Sequence, residues 1–223
     1  MSVVTDVESG IAATEIEVRG RERVIQQARD LFLAQGYAAV SMQQIADAVG
    51  VNKATLYHYF RDKQALFIAV MVQQGKQMNA AVAAALASGE TLQEKLQSVA
   101  QTILDMQHSD FGRLSNDLHV HVSEEGRAAV FAQCGVPWAQ ISDLLREAVA
   151  RGEIRAIDPD LASRGFFGMI ISQRWQRLKI KSDPYPEDQL ARALTDLLLV
   201  GILPAHRDDV TPASAADLQE TRG

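Results

Sequence analysis

Three side chains with polar-tipped rings, Tyr57, His58 and Tyr59, stand in a row a few residues after a Gly-Val-Asn corner. Phenol and imidazole groups can bond phosphate oxygens, and such contacts position a protein on a nucleic-acid backbone. Lys63 adds a cation, and Ser41 begins a helix whose free backbone N–H groups favour an anion. These residues predict a rim of phosphate contacts, although packing against the core is an equally open role for Tyr59.

A second group of side chains precedes the rings. Asn52 suits the N-cap of a short helix, and Lys53, Ala54 and Thr55 follow at its exposed N-terminal end. This end of a helix reaches base edges when the helix lies in a major groove. Lysine can bond guanine, and the methyl groups of alanine and threonine can touch the methyl of thymine. The pattern predicts a short base-reading edge.

Two short helices crossing almost at right angles are needed to hold this edge. Such a helix-turn-helix requires a small residue at the crossing, Ala46, and a corner residue that tolerates positive φ, Gly50. Leu56 supplies the apolar anchor from the second helix. Ser41 with Gln44 makes a capping-box pattern at the start of the first helix. A generic αα-hairpin could reproduce this spacing, and that alternative stays open.

Charge is distributed unevenly along the chain. The whole sequence of 223 residues has a formal net charge of −6, but residues 19–63 hold seven basic and four acidic side chains. The rest of the chain holds fifteen basic and twenty-four acidic ones. The asymmetry fits a small nucleic-acid-facing module on a larger acidic body; chance clustering is the alternative.

Composition places the chain among ordinary globular proteins, with 47% hydrophobic and 22% charged residues. There is no apolar run long enough for a membrane span, and residues 1–18 have neither the basic start nor the apolar segment of a secretory signal. Cys134 is the single cysteine, so no internal disulfide can form. We expect a cytoplasmic protein that does not associate with membranes.

Hydrophobic periodicity predicts an all-α fold of about nine helices. Residues 1–18 are expected to be a mobile arm, 19–66 the helix-turn-helix domain, 67–205 a second helical domain, and 206–223 a disordered tail. The first helix is expected to begin near Arg21, and Pro137 should kink or split the helical pattern that spans residues 124–151.

Residues 21–71, with "GYAAVSMQQIADAVGVNKATLYHYFRDKQALF" at their centre, resemble the N-terminal DNA-binding domain of the TetR family of transcriptional repressors. The resemblance implies that Tyr57 and Lys63 contact phosphate. The family often has His where this chain has Tyr59, and Gly where it has Ala54, so the division of phosphate contacts between His58 and Tyr59 stays open. The resemblance also implies a homodimer that binds a palindromic operator in double-stranded DNA and is released by a small effector. It makes residues 67–205 the ligand-binding and dimerisation domain.

The last two predicted helices carry more apolar surface than one helical face can bury, in "GFFGMII" and "LTDLLLVGIL". Two such helices per subunit could form a four-helix dimer interface, with an ordinary intrachain core as the alternative. The residues assigned to this interface are Leu161, Gly165, Gly168, Leu190, Leu194, Leu197 and Leu198.

The resemblance implies a pocket for a small hydrophobic or aromatic effector, and such pockets are mostly apolar with a few polar groups. A solid core would explain the same residues. The candidates are Met106, Phe111, His119, Phe131, Trp138, Phe166, Met169, Gln173 and Trp175.

Other chemistry finds little support in the sequence. His108, Asp110, His119 and His121 are close along the chain, but histidines two residues apart diverge on a helix and no cysteine cluster joins them. We expect no metal, no cofactor and no enzymatic activity. Three function classes stay open: a ligand-responsive repressor, a DNA-binding regulator controlled by a protein partner, and an enzyme or structural protein with an incidental helix-turn-helix.

Overall fold

The computed structural model describes the backbone of residues 3–106, 110–179 and 185–202, and the side chains of residues 17–106, 113–173 and 185–202. Within these ranges the regular secondary structure is entirely helical, which confirms the predicted all-α fold. The helices are α1 (Val3–Gln35), α2 (Met42–Val49), α3 (Lys53–Tyr59), α4 (Lys63–Ser88), α5 (Leu92–Asp105), α6 (Asp110–His121), α7 (Glu124–Cys134), α8 (Ala139–Ala150), α9 (Pro159–Lys179) and α10 (Glu187–Ile202).

The described part of the chain has ten helices, against the nine expected, because the pattern around Pro137 is split completely. Helix α7 ends at Cys134, Gly135 follows with φ of 73°, and α8 begins at Ala139. A proline cannot donate the backbone hydrogen bond that a continuous helix needs. The predicted interruption is confirmed, as two helices rather than a kinked one.

The expected start of the first helix is wrong. Helix α1 begins at Val3, so the backbone of residues 3–18, predicted to be a mobile arm, is helical. This segment contains no proline and only one glycine, Gly10, so little in its sequence stops a helix from extending towards the N-terminus. The tail predicted for residues 206–223 lies outside the described residues.

One apolar core joins the helix-turn-helix to the helices that follow it. Phe32 of α1, Leu56 of α3 and Phe67 of α4 are completely buried in it, together with Leu114 of α6. The core therefore crosses the boundary predicted between residues 66 and 67. Because these side chains share one core, the orientation of helices α1–α3 depends on their contacts with α4 and α6 as well as on the packing among α1, α2 and α3.

A second core lies among α4, α5, α8, α9 and α10. Its largest completely buried side chains include Met78, Leu96, Ile141 and Phe166. Helix α5 packs against both α4 and α10, and α8 packs against α9. No helix in the described part of the chain is both long and apolar enough to cross a membrane.

Candidate nucleic-acid interface

Helix α2 starts with the reciprocal cap that the sequence predicts. The Ser41 hydroxyl accepts the backbone N–H of Gln44 at 3.2 Å, and the Gln44 side-chain oxygen accepts the backbone N–H of Ser41 at 2.8 Å. Both N–H groups would otherwise lack partners at a helix N-terminus. The cap fixes where α2 begins and so where the turn to α3 falls.

The corner after α2 has the left-handed conformation that favours glycine. Gly50 has φ of 78° and ψ of 36°, and the backbone N–H groups of Gly50 and Val51 both donate to the carbonyl of Ala46 at 3.0 Å. Arg23 of α1 donates from Nη2 to the carbonyl of Val49 at 2.8 Å. Sequence reasoning missed Arg23, although a cation is favoured at the C-terminal end of a helix.

Burial places α2 and α3 in the predicted arrangement. Ala46 and Leu56 have no exposed surface, and Ile45 is equally buried beside them. A small residue at position 46 allows the two helices to approach, and Leu56 anchors α3 against the first core. The predicted helix-turn-helix is confirmed.

The N-terminal end of α3 presents a narrow exposed edge. The Asn52 side-chain oxygen accepts the backbone N–H of Thr55 at 2.8 Å and its hydroxyl at 2.9 Å. Lys53 and Ala54 are exposed, whereas Thr55 is half-buried. Because its hydroxyl proton is donated to Asn52, Thr55 can offer a ligand its methyl group and an accepting oxygen, but no donor.

The three rings of α3 have different environments. Tyr57 is 43% exposed, and the Lys53 ammonium lies 5.8 Å from the centre of its ring. His58 is exposed, with Nε2 3.5 Å from a carboxylate oxygen of Glu17. Tyr57 and His58 are therefore both accessible to a ligand.

Tyr59 packs against α1 instead of pointing outward. It is half-buried against the first core, and a Cβ built on Gly20 would lie only 2.6 Å from its hydroxyl oxygen. A glycine at position 20 therefore allows the ring to lie against α1. This geometry favours the packing role that the sequence left open for Tyr59, and makes His58 the more accessible of the two for a phosphate.

Lys63 is the first residue of α4, and its side chain reaches the turn between α1 and α2. Its ammonium donates to the carbonyls of Tyr37 and Val40, each at 2.9 Å, and sits 4.3 Å from the centre of the Tyr37 ring. Partial burial lowers the pKa of Lys63 and, together with the charge of Asp62, raises that of Tyr37. An ammonium has three donors, so one remains beyond these two bonds.

Among the predicted pocket residues whose side chains the structure describes, some pack in one core and others lie on the surface. Phe166 is completely buried in the second core, and Met106, Trp138 and Met169 pack at its margin. Phe131 is 46% exposed. His119 is also on the surface, Gln173 is half-buried, and the side chains of Phe111 and Trp175 lie outside the described residues.

Helices α9 and α10 carry an open groove of about 500 Å³ on their outer side. Leu161 and Leu197 beside it are 70% and 66% exposed, and Gly165 and Gly168 are exposed with open space around them. The remaining residues assigned to a dimer interface belong to the second core of this chain: Leu194 and Leu198 are buried and Leu190 is half-buried there.

Metal ligands do not cluster in the part of the chain whose side chains are described: no three His, Cys, Asp or Glu side chains there lie close enough to share an ion. His119 and His121 are both exposed near the C-terminal end of α6. The side chains of His108 and Asp110 lie outside the described residues.

A capped α2, a glycine corner and an exposed α3 edge define a helix-turn-helix of the DNA-binding class. The family model of bacterial regulatory proteins of the TetR family matches residues 24–70, and that of the tetracyclin repressor-like C-terminal domain matches residues 89–202. The chain belongs to the TetR family of bacterial transcriptional regulators.

Known relatives are similar over parts of their length. The transcriptional regulator UidR of Escherichia coli K12 is 27% identical over 150 residues, which are 63% of this chain and 70% of UidR. The transcriptional activator FasR of Mycolicibacterium smegmatis is 29% identical over 90 residues, so the match spans 40% of this chain and 41% of FasR. The similarity thus covers less than half of FasR.

A solved structure extends the likeness in fold over most of the chain. AibR, in complex with isovaleryl coenzyme A and operator DNA, matches with a TM-score of 0.61 and 22% identity, over 80% of this chain and 97% of AibR. At this level of identity the similarity concerns the fold.

Proposed function

We propose that this chain is a repressor that binds a palindromic operator as a homodimer and is released by a small hydrophobic effector. The observation that carries the proposal is the exposed N-terminal edge of α3, with Lys53 and Ala54 on the surface of a capped helix-turn-helix. In this arrangement α3 enters the major groove, and its first residues face the bases.

Base and phosphate contacts divide between the two ends of α3. Lys53 bonds guanine, while the methyl groups of Ala54 and Thr55 contact thymine. Tyr57 and His58 bond phosphates on the rim, because both are exposed and have polar tips. These contacts fix the position of the helix without reading the sequence.

Two further phosphate contacts come from outside α3. The N-terminus of α2 behind Ser41 offers a phosphate its partial positive charge. Lys63 contributes the donor that is left beyond its bonds to Tyr37 and Val40. Asn52 caps α3 and so orients the edge without needing to touch DNA.

Dimerisation would place two reading edges on one operator. Its support is the apolar outer side of α9 and α10, where Leu161, Leu197 and Val200 are exposed around glycines. Exposed apolar surface of this kind marks a protein interface more often than a solvated face. Two copies related by a twofold axis would read half-sites roughly 34–36 Å apart.

An effector site in the C-terminal domain is supported by its apolar composition and by AibR, whose structure contains both an acyl-coenzyme A and operator DNA. The candidate region is the margin of the second core near Trp138, whose ring centre lies 5.9 Å from that of Phe167. Arg164 lies 5.7 Å from the Trp138 ring and could pair with an anionic group of the effector.

Control by a protein partner is the second candidate. It is favoured by the exposure of Phe131 and His119, two residues that the sequence assigned to a pocket. FasR is an activator by name, so the direction of regulation also needs a reporter gene placed behind the operator.

The test is operator binding measured by fluorescence anisotropy while hydrophobic acids and their coenzyme A thioesters are titrated. A true effector changes the tryptophan fluorescence saturably and weakens DNA binding roughly 5–150-fold. Operator DNA must then weaken the effector by the same factor. A compound that binds equally well with and without operator is not the effector, because it shifts no equilibrium. If nothing in the panel binds, control by a partner is favoured.

A further inference from the structure

Helix α6, which belongs to the C-terminal part of the chain, bonds directly to the end of α1. Arg113 donates from Nη1 to the carbonyl of Leu33 at 2.8 Å and, more weakly, to that of Ala34 at 3.5 Å. The last carbonyls of a helix have no partner within it. A cation there also interacts favourably with the helix dipole. Arg113 thus caps α1 from a helix in the C-terminal part of the chain.

Asp117, one turn further along α6, holds the turn that follows α1. Its carboxylate accepts the backbone N–H of Tyr37 at 2.8 Å. His121, one more turn along, stacks on the Tyr37 ring with ring centres 5.2 Å apart. Positions 113, 117 and 121 lie four residues apart and share one face of α6. This face forms what we call the α6 clasp: Arg113, Asp117 and His121.

The backbone at Gly36 makes room for the α6 clasp. Gly36 has φ of 86°, and a Cβ built there would lie 3.3 Å from Nη2 of Arg113. On the other side of the turn, Lys63 bonds the carbonyls of Tyr37 and Val40. Side chains from α6 and from the start of α4 therefore both bond to the turn between α1 and α2.

Leu114 and Leu118 of α6 are buried in the first core. Apolar packing sets how closely α6 approaches α1, but it is not directional. Hydrogen bonds depend on angle as well as distance. The α6 clasp therefore restricts rotation of α6 relative to the helix-turn-helix. Helix α2 begins only a few residues after the turn that the clasp contacts.

We infer that Arg113 and Asp117 are positioning residues for DNA binding, which set the orientation of each reading edge relative to the C-terminal domain. The inference rests on the proposed function, because orientation matters most when two edges must match one operator. Neither residue is assigned a contact with DNA. Removing these contacts leaves each edge able to read its half-site. It lets the dimer accept a wider range of distances between the two half-sites.

The experiment uses the full chain and an operator obtained by selection from random DNA, remade with one or two base pairs added or removed between the half-sites. Wild type should bind the selected spacing best. Arg113→Ala and Asp117→Ala should bind this spacing about tenfold more weakly, within the range typical of coupling between sites. Their affinity for the altered spacings should change less than about twofold, so that the ratio of affinities between the selected and the altered spacings becomes smaller.

Two controls separate positioning from general destabilisation. Arg127→Ala removes an arginine that also donates to carbonyls, those of His119 and Val122, but within the C-terminal part of the chain. It should keep the spacing preference at a comparable melting temperature. Asp117→Asn retains an oxygen that can accept the Tyr37 N–H, and should behave like wild type. If Arg113→Ala does not fold, Arg113→Lys replaces it, because it keeps the charge and loses the planar fork.

The outcomes distinguish the inference from the proposed function. Folded Arg113→Ala and Asp117→Ala proteins with an unchanged spacing preference would overturn the inference while the proposed function stands. A loss of preference in Arg127→Ala equal to that in Arg113→Ala would also overturn it. If wild type selects no operator, the proposed function fails and the positioning role falls with it.

Discussion

Gly50 is the residue on which the geometry of the reading edge depends most directly. It has φ of 78°, and Gly152, in the turn after α8, has φ of 71°; neither would crowd a neighbour if it carried a Cβ. Replacing either by alanine should therefore cost only backbone strain, about 1 kcal/mol of unfolding free energy. Only Gly50→Ala should also weaken operator binding. Denaturant unfolding and DNA titration of both variants check this, and equal DNA affinity of the two would contradict it.

Lys53 and Lys63 offer a comparison of two lysines with different neighbours. Lys53 is exposed, whereas Lys63 bonds two carbonyls in the turn between α1 and α2. Lys63→Ala should lower the melting temperature and the operator affinity together, whereas Lys53→Ala should lower the affinity alone. Loss of one phosphate contact at Lys63 should reduce the salt slope of DNA binding by about one.

Binding measured over a salt series, beside thermal unfolding, checks both lysines. An unchanged slope in Lys63→Ala would show that its ammonium is purely structural. A lowered melting temperature in Lys53→Ala would mean that the surface edge is also needed for folding.

Helix α1 approaches α3 closely where Gly20 faces the Tyr59 ring. The Tyr59 hydroxyl would lie 2.6 Å from a Cβ at Gly20. Alanine in a helix is normally more stable than glycine by roughly 0.5–1 kcal/mol, but here the methyl group must displace the tyrosine. We expect Gly20→Ala to lose this gain and to weaken DNA binding, and Tyr59→Phe, which removes the hydroxyl, to restore both. A double-mutant cycle checks this; additive effects would rule the contact out as a determinant.

At the scale of elements, periodicity and punctuation in the sequence predicted most of the helices. Pro137 separates α7 from α8 as expected, and the capping pair Ser41 and Gln44 begins α2. The start of α1 could not be predicted in this way, because residues 3–18 lack the apolar periodicity that marks a packed helix. Periodicity indicates burial of one helical face against other elements, so it gives no signal for a helix whose sequence lacks it.

The candidate site likewise contains residues that could be placed from the sequence and contacts that could not. Asn52, Lys53 and Ala54 could be placed from local chemistry alone, because capping and helix direction are set within a few residues. The partners of Lys63 could not, since they lie more than twenty residues away along the chain. Apolar residue type also cannot distinguish a core from a pocket: Phe166 is completely buried and Phe131 is 46% exposed.

For the whole molecule, assembly should depend on the outer side of α9 and α10. Leu197 is 66% exposed there, and Val120 is 61% exposed on α6. Leu197→Glu should give folded monomers that bind operator DNA more weakly, because a charge is costly to bury in an apolar interface. Val120→Glu, an equally exposed site elsewhere, should leave the dimer intact. Sedimentation at micromolar concentration checks both, and a wild-type monomer would contradict the proposed interface.

The most direct test of sequence reading by α3 is selection of binding sites from random DNA with wild type, Lys53→Ala and Tyr57→Phe. Wild type should enrich one sequence with twofold symmetry. Lys53→Ala should relax the preference at one position of each half-site, at a cost of about 1–3 kcal/mol, whereas Tyr57→Phe should weaken binding to all sequences alike. Failure of folded wild type to enrich any sequence, or an unchanged preference in Lys53→Ala, would contradict the assignment of the reading edge.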